Sequence, residues 1–324
     1  MKFDPKLTVV LPAHNAEKTL AAAVRSVLVQ TYADFELWIL ENGSNDSTLK
    51  IAREFLHDRR VRVFELGPVG FQGALEVALQ NATTDWIGRM DADDISFPTR
   101  FEKQMSFLQS NPEYLFVGSA FAVMTQFGHI FTGRHRRASR PVRSESLDRS
   151  GEFGWFFADA SVVFNRSAAL EVGGYDPEFK MGDQPLWFRL LENGQGFELG
   201  EPLYVYRASP VSMNFGLYHN DAIRVRNKYL NRNYAVEPFD RIKRNNKYWY
   251  KTAVQELIAG NGKNVRDCAE RLEGSGTHRR RFKLLCLSYI AILAPIYYKI
   301  SRRSGWVHSP DLEREFVANM PNSV

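Results

Sequence analysis

The chain has 324 residues, 44% of them hydrophobic, a formal net charge of +5 and two cysteines, Cys268 and Cys286. That is enough apolar material for one large domain with an appendage, or for two domains. It excludes a disulfide framework and a cysteine-ligated metal, and it fits a reducing compartment. The charge is uneven: from Ile223 to Arg303 there are 19 lysines and arginines against 6 acidic residues, a balance of +13 that leaves −8 for the rest. No zinc finger, aromatic RNA-binding signature or basic zipper accompanies this excess, so it points to an anionic membrane surface and not to nucleic acid. The amino terminus, Met1-Lys2-Phe3-Asp4-Pro5, lacks the apolar core of a signal peptide, which predicts a cytoplasmic protein.

Leu7 to Leu11 is a continuous apolar run ending at Pro12, the pattern of a buried parallel strand. Ala13-His14-Asn15 is a polar turn, and Leu20, Val24, Val27 and Leu28 recur at helical spacing between Glu17 and Gln30. Phe35 to Leu40 is a second strand, closed by Glu41-Asn42-Gly43-Ser44, and Ser47 is placed to cap the next helix, which runs through Ile51, Phe55 and Leu56. Val61 to Phe64, a helix from Phe71 to Leu79, and a strand from Asp85 to Met90 continue the alternation. It predicts an open α/β sheet, which binds ligands at the carboxyl ends of its strands.

The fourth strand delivers Asp91-Ala92-Asp93-Asp94. Three carboxylates in four positions repel one another, so they need either a cation among them or full solvation. With Asp91 and Asp93 alternating at a strand end, both can face one side and hold a hard divalent ion. An acidic turn with Asp94 capping the helix after Pro98 is the competing reading. Beyond it come a helix (Arg100 to Leu108), a strand (Leu115 to Met124) and the arginines 134, 136, 137, 140 and 143, either a solvated loop or a lid over phosphate groups. Trp155 to Phe164 returns to the core. Gly173-Gly174 marks a turn of unusual backbone angle, and Asp183 opens a helix reaching Leu191, where it can be a cap or a rigidly held general base.

In this order the motifs resemble the inverting family-2 glycosyltransferases with the GT-A fold. The resemblance covers about residues 7 to 210. It rests on Val9 to Asn15, on Gln30-Thr31-Tyr32 before Phe35-Glu36-Leu37, on Gly43 to Thr48, on Asp91 to Asp94, and on Gly173-Gly174-Tyr175-Asp176 followed by Gly182-Asp183. It implies a GT-A mixed sheet flanked by helices over residues 1–215, binding a nucleotide-diphosphate sugar against Pro12, His14, Asn15, Glu41, Asn42, Asp91 and Asp93. It further implies a Mn or Mg ion on Asp93 and Asp91, Asp183 as the base that deprotonates an acceptor hydroxyl, and Gly174, Tyr175 and Trp187 on the acceptor side. A sugar hydroxyl is too weak an acid to lose its proton in advance, so the proton must move as the bond forms.

Several positions depart from the family pattern. Glu41-Asn42 stands where many members carry two aspartates, His14 replaces an aromatic, and Leu75 replaces an arginine, which weakens the case for a uridine donor. The histidine often found after Tyr-Arg is absent from Tyr206-Arg207-Ala208-Ser209; His219 lies nearby in sequence.

Beyond residue 215 the resemblance fades into a basic, mainly helical extension, 216–324. Leu284 to Tyr298 is a 15-residue apolar stretch flanked by Arg279-Arg280-Arg281 and by Lys299, Arg302 and Arg303. It is shorter than the ~20 residues that span a bilayer. A helix at 282–300 lying in the cytoplasmic leaflet, one packed on the protein and a true span all remain open. The first makes the chain an enzyme at the inner face of the membrane acting on a glycan or lipid-linked acceptor. Two other functions are weighed: a nucleotidyltransferase, which would carry a glycine- and basic-rich phosphate loop that Pro12 to Asn15 is not, and a non-catalytic sugar-nucleotide or glycan-binding protein, against which Asp93 and Asp183 both argue.

Overall fold

A computed structural model describes residues 4–124, 130–133, 138–142, 158–179, 183–207, 224–225, 227–229, 262–270, 306–308 and 314. Strands β1 (Leu7–Ala13), β2 (Phe35–Glu41), β3 (Val61–Glu65) and β4 (Trp86–Arg89) are parallel neighbours in the order β4-β1-β2-β3. The chain steps outward from β1 to β3 and then returns to the far side of β1. The strand order therefore reverses between β1 and β4, and the acidic motif leaves β4 at that point.

Both faces of β1 are covered, which is why its sequence is apolar without alternation. Leu7, Val9 and Leu11 pack with Leu20, Val24 and Val27 of α1 (Leu20–Leu28) and with Phe101, Met105 and Leu108 of α4 (Arg100–Ser110). Val10 faces the other layer, with Ala74, Leu75, Ala78 and Leu79 of α3 (Gly70–Asn81). The expected helix at 47–56 is α2 (Thr48–Glu54), but its first turn is held by Asp46, whose Oδ1 accepts from the Thr48 N–H (2.9 Å) and hydroxyl (2.5 Å). Ser47 makes no cap bond.

The sheet continues from β4 through strands that the sequence reading only partly anticipated. In chain order these are β5 (Ile95–Ser96), β6 (Tyr114–Met124), β7 (Ile130–Gly133), β8 (Arg140–Val142), β9 (Val163–Asn165) and β10 (Gln195–Arg207). The return to the core expected at 155–164 is a 3-10 turn, Asp159–Ser161, and then short β9, antiparallel to β4 and β6. β10 runs parallel to β6 and antiparallel to β5, so its last residues reach the acidic turn. Helices α5 (Arg166–Glu171) and α6 (Asp183–Asn193) lie between β9 and β10.

From the carboxy-terminal region, α7 (Gly262–Glu270) and β11 (Trp306–His308) are described. β11 pairs antiparallel with β7, adding a strand to an extension expected to be mainly helical. Leu284 to Tyr298, His219 and the arginines at 134, 136, 137 and 143 lie outside the described residues. Among the described residues no helix is long and apolar enough to cross a membrane.

Candidate active site

β4 ends at Arg89, and residues 91–94 form a turn, the Asp94 N–H reaching the Asp91 carbonyl (3.4 Å). The acidic residues are thus in a turn and not on an extension of the strand, although their carboxylates converge as expected. The turn gives each carboxylate its own surroundings.

Asp94 does not cap the following helix. It is buried, its Oδ2 accepting from the Tyr204 hydroxyl (2.8 Å) and its Oδ1 from the Arg207 N–H (2.8 Å). The Tyr204 oxygen also accepts from the Asp91 N–H (3.3 Å), and Arg207 Nε donates to the carbonyl of Asp93 (2.9 Å), not to its carboxylate. β10 thereby holds the turn in shape through Asp94 and the backbone.

Asp91 accepts from Arg89 Nη2 (3.2 Å), and Arg89 Nη1 donates to Oδ1 of Asp183 (2.5 Å). Arg89 is fully buried, its guanidinium over the Phe71 ring at 5.2 Å. Asp183 is the first residue of α6, and one turn on, Trp187 Nε1 donates to Oδ1 of Asp159 (2.6 Å). A second buried arginine, Arg100, fixes the end of β4 by donating to the carbonyls of Arg89 (2.7 Å) and Ala160 (3.2 Å).

Burial shapes the electrostatics. It pushes the Asp91 carboxyl up to about 6, with the Arg89 charge opposing and the Asp93 and Asp183 charges adding. It raises Asp93 as well, and it raises Asp94 far above the carboxylate range, helped there by the charges of Asp93 and Asp91. Burial likewise raises Asp159, with Asp183 adding. For Arg89 burial works against the charge, but Asp183, Tyr175 and Asp91 outweigh it and its pKa lies well above the usual value.

Oxygen atoms of Asp91, Asp93 and Asp94 lie within 4.8 Å of one another. An all-oxygen set whose negative charge Arg89 and Arg207 offset only in part suits a hard divalent cation. Because both Asp94 oxygens are already hydrogen-bonded, Asp91 and Asp93 are the residues that fit the ligand role.

The loops after β1 and β2 form the adjoining wall. Asn15, at φ 50°, donates its N–H to Ser44 Oγ (3.1 Å), and its side-chain oxygen accepts from the Asn45 N–H (3.0 Å). His14 Nδ1 lies 2.9 Å from the Asn42 carbonyl oxygen, and Glu41 accepts from the Ser44 N–H (2.5 Å). Asn42 Oδ1 accepts from the Gly70 N–H (3.0 Å), which leaves the amide Nδ2 as its polar group for a ligand. Pro12, within β1, is buried.

The three acceptor-side expectations find different surroundings. Trp187 is buried against Phe116 and Phe164, and Tyr175 is buried in the same layer. Gly174, at φ +64°, passes so close to Glu76 that a Cβ would lie 2.5 Å from its Oε2. Sequence reasoning assigned nothing to Arg89, Tyr204, Arg207 or Asp159. One signal was available: an arginine ending a buried strand must find a counter-charge.

An open sheet with a strand-order reversal, an acidic turn at that reversal and an antiparallel β9 beside it has the GT-A architecture of nucleotide-sugar transferases. A solved structure of the mannosyltransferase PcManGT from Pyrobaculum calidifontis, in complex with GDP-Man and Mn2+, shares the fold at a TM-score of 0.55 and 14% identity, over 93% of this chain and 88% of that one. The family model "Glycosyl transferase family 2" matches residues 8–173. The putative glycosyltransferase EpsE of Bacillus subtilis (strain 168) is 33% identical over 214 residues, 64% of this chain and 74% of EpsE. The O-antigen biosynthesis glycosyltransferase WbnJ of Escherichia coli is 30% identical over 210 residues, 62% of this chain and 79% of WbnJ. This chain belongs to glycosyl transferase family 2.

Proposed function

We propose that the protein is a divalent-metal-dependent, inverting glycosyltransferase that moves a sugar from a nucleotide-diphosphate donor to a hydroxyl of a glycan or lipid-linked acceptor in cell-surface polysaccharide synthesis. The observation that carries this reading is the buried guanidinium of Arg89, bonded on one side to Asp91 of the acidic turn and on the other to Asp183. It sets a carboxylate suited to a base beside carboxylates suited to a metal. The polysaccharide setting draws on WbnJ, an O-antigen biosynthesis glycosyltransferase, and the lipid-linked acceptor on WfgD of Escherichia coli, a GlcNAc-diphosphoundecaprenol glucosyltransferase 34% identical over 108 residues.

The donor lies across the carboxyl ends of β1, β2 and β4, its base against Pro12, His14, Asn15, Glu41 and Asn42. A Mn or Mg ion would be held by Asp93 and Asp91, and when bound it supplies Lewis-acid neutralisation of charge on the departing diphosphate; PcManGT was solved with Mn2+. As the acceptor oxygen bonds to the anomeric carbon, the bond to the diphosphate oxygen breaks on the opposite face, and the hydroxyl proton passes to Asp183. Arg89 bonds Oδ1 of Asp183, leaving Oδ2 to receive that proton. Residues 1–215 form the catalytic unit. The basic extension 216–324, with its apolar stretch at 284–298, brings the enzyme to anionic lipid at the inner face of the membrane.

A panel of UDP-, GDP- and dTDP-linked sugars with Mn2+, scored for thermal stabilisation and slow donor hydrolysis, tests the reading without knowledge of the acceptor. At least one donor should respond, and only with the metal. No response to any of them would contradict an enzymatic role.

A further inference from the structure

Asp183 is held from two directions. Arg89 Nη1 reaches its Oδ1 directly from the end of β4 (2.5 Å), and the helix it begins is pinned four residues later by the bond from Trp187 Nε1 to Asp159 Oδ1 (2.6 Å). Arg89 is in turn held in place. Its side chain has no exposure, its plane lies over Phe71, its second terminal nitrogen reaches Asp91, and its own backbone carbonyl is gripped by Arg100.

A buried guanidinium is an expensive way to end a strand, and hydrophobic replacement of buried ion pairs is often neutral or stabilising. Part of its surroundings is apolar, with the Phe71 ring 5.2 Å from the guanidinium and Ile87 two residues back on the same strand in the core layer. What an apolar side chain could not do is hold two carboxylates at a fixed separation, a task suited to the rigid fork of arginine and not to the single nitrogen of lysine. Besides these two carboxylates the guanidinium faces the buried Tyr175 hydroxyl, so its two terminal nitrogens are the ones committed to Asp91 and Asp183.

We propose that Arg89, with the Trp187–Asp159 bond behind it, is a positioning device that fixes Asp183 relative to the acidic turn. This inference rests on the reading of Asp183 as the base. Arg89 does not touch the reacting atoms. It sets where the proton-accepting oxygen of Asp183 stands with respect to a donor anchored at Asp91 and Asp93, and displacement of a reacting group by about 1 Å can cost on the order of 100-fold in rate.

The test uses the full chain, Mn2+ and whichever UDP-, GDP- or dTDP-linked sugar gives the strongest metal-dependent stabilisation, with donor hydrolysis as the reaction. Arg89→Lys should leave the donor KM within about 3-fold and lower kcat by about 30-fold or more, the pattern of an interaction that acts on the transition state. Asp183→Asn should lower kcat at least as far. The double variant should be no slower than Asp183→Asn alone, because groups acting as one unit are not additive. Trp187→Phe keeps the ring packing and removes the N–H. It should lower kcat by about 3- to 10-fold with KM unchanged, and it carries the test if Arg89→Lys does not fold.

Losses that multiply in the double variant, or a donor KM that rises with the fall in kcat, would overturn the proposal in favour of a structural or donor-binding role for Arg89. An inactive Asp183→Asn beside Arg89→Lys and Trp187→Phe at wild-type kcat would remove the positioning role alone. Wild-type hydrolysis by Asp183→Asn would instead remove the base assignment on which it stands.

Discussion

Asp94 and Tyr204, 110 residues apart in sequence, share a buried 2.8 Å hydrogen bond beneath the acidic turn. The bond assigns Asp94 to architecture: it ties the turn to β10, while Asp91 and Asp93 are the carboxylates that fit a cation. Asp94→Ala leaves the Tyr204 hydroxyl and the Arg207 N–H without their acceptor, and a buried unsatisfied group costs about 1–3 kcal/mol. The expected loss is about 2 kcal/mol in chemical denaturation, with Asp94→Asn recovering part of it.

Gly174 is constrained by its backbone and by Glu76. An alanine at φ +64° with its Cβ 2.5 Å from Glu76 Oε2 must displace the carboxylate that accepts the Tyr175 N–H (2.9 Å). Left-handed backbone alone costs a non-glycine residue about 1–2 kcal/mol. Gly174→Ala should therefore destabilise by about 2–3 kcal/mol in urea titrations.

The pH dependence of the metal-free protein follows from the raised carboxyl of Asp91. A group whose pKa is about 6 folded and near 4 unfolded binds more protons in the folded state between those values. Its contribution to stability therefore falls as pH rises through that window. Asp91→Asn should be more stable than wild type without metal at pH 7.5, and the difference should close between about pH 6 and pH 4. Mn2+ competes with the same proton, so its stabilisation of the wild-type chain should shrink over that range.

Membrane contact can be read by flotation with vesicles containing anionic lipid. The full chain should float in low salt and less in high salt, since a Debye length shortens from about 10 Å at 0.1 M to about 3 Å at 1 M. A chain ending at Gly276 should float less; equal flotation of the two would count against a role for the apolar stretch.

The parallel half of the fold was legible because β1 is a continuous apolar run, β2 and β3 are short and rich in apolar residues, and the segments between strands repeat at helical spacing. β10 was not: its first half alternates in burial, but the buried side carries Gly196, Glu198 and Gly200 while Phe197 and Leu199 are half-buried, so hydropathy does not mark the inner face. The acidic turn was found, but the division of labour within it was misread for Asp94, because nothing local marks a partner 110 residues away. Arg89 went unassigned for a related reason. A strand-end arginine signals a counter-charge, whereas its two carboxylates, at positions 91 and 183, meet only when α6 docks on the sheet.

The most direct test of the account is a Mn2+ titration, followed by the electron paramagnetic resonance of free Mn2+ in the presence of a responding nucleotide sugar. Wild type should bind saturably, and Asp93→Ala should lose at least about 10-fold in affinity, in keeping with the 10- to 100-fold typical even of outer-shell changes at metal sites. Asp93→Ala that bound both Mn2+ and donor as tightly as wild type would contradict the placement of the metal, and with it the role given to the acidic turn.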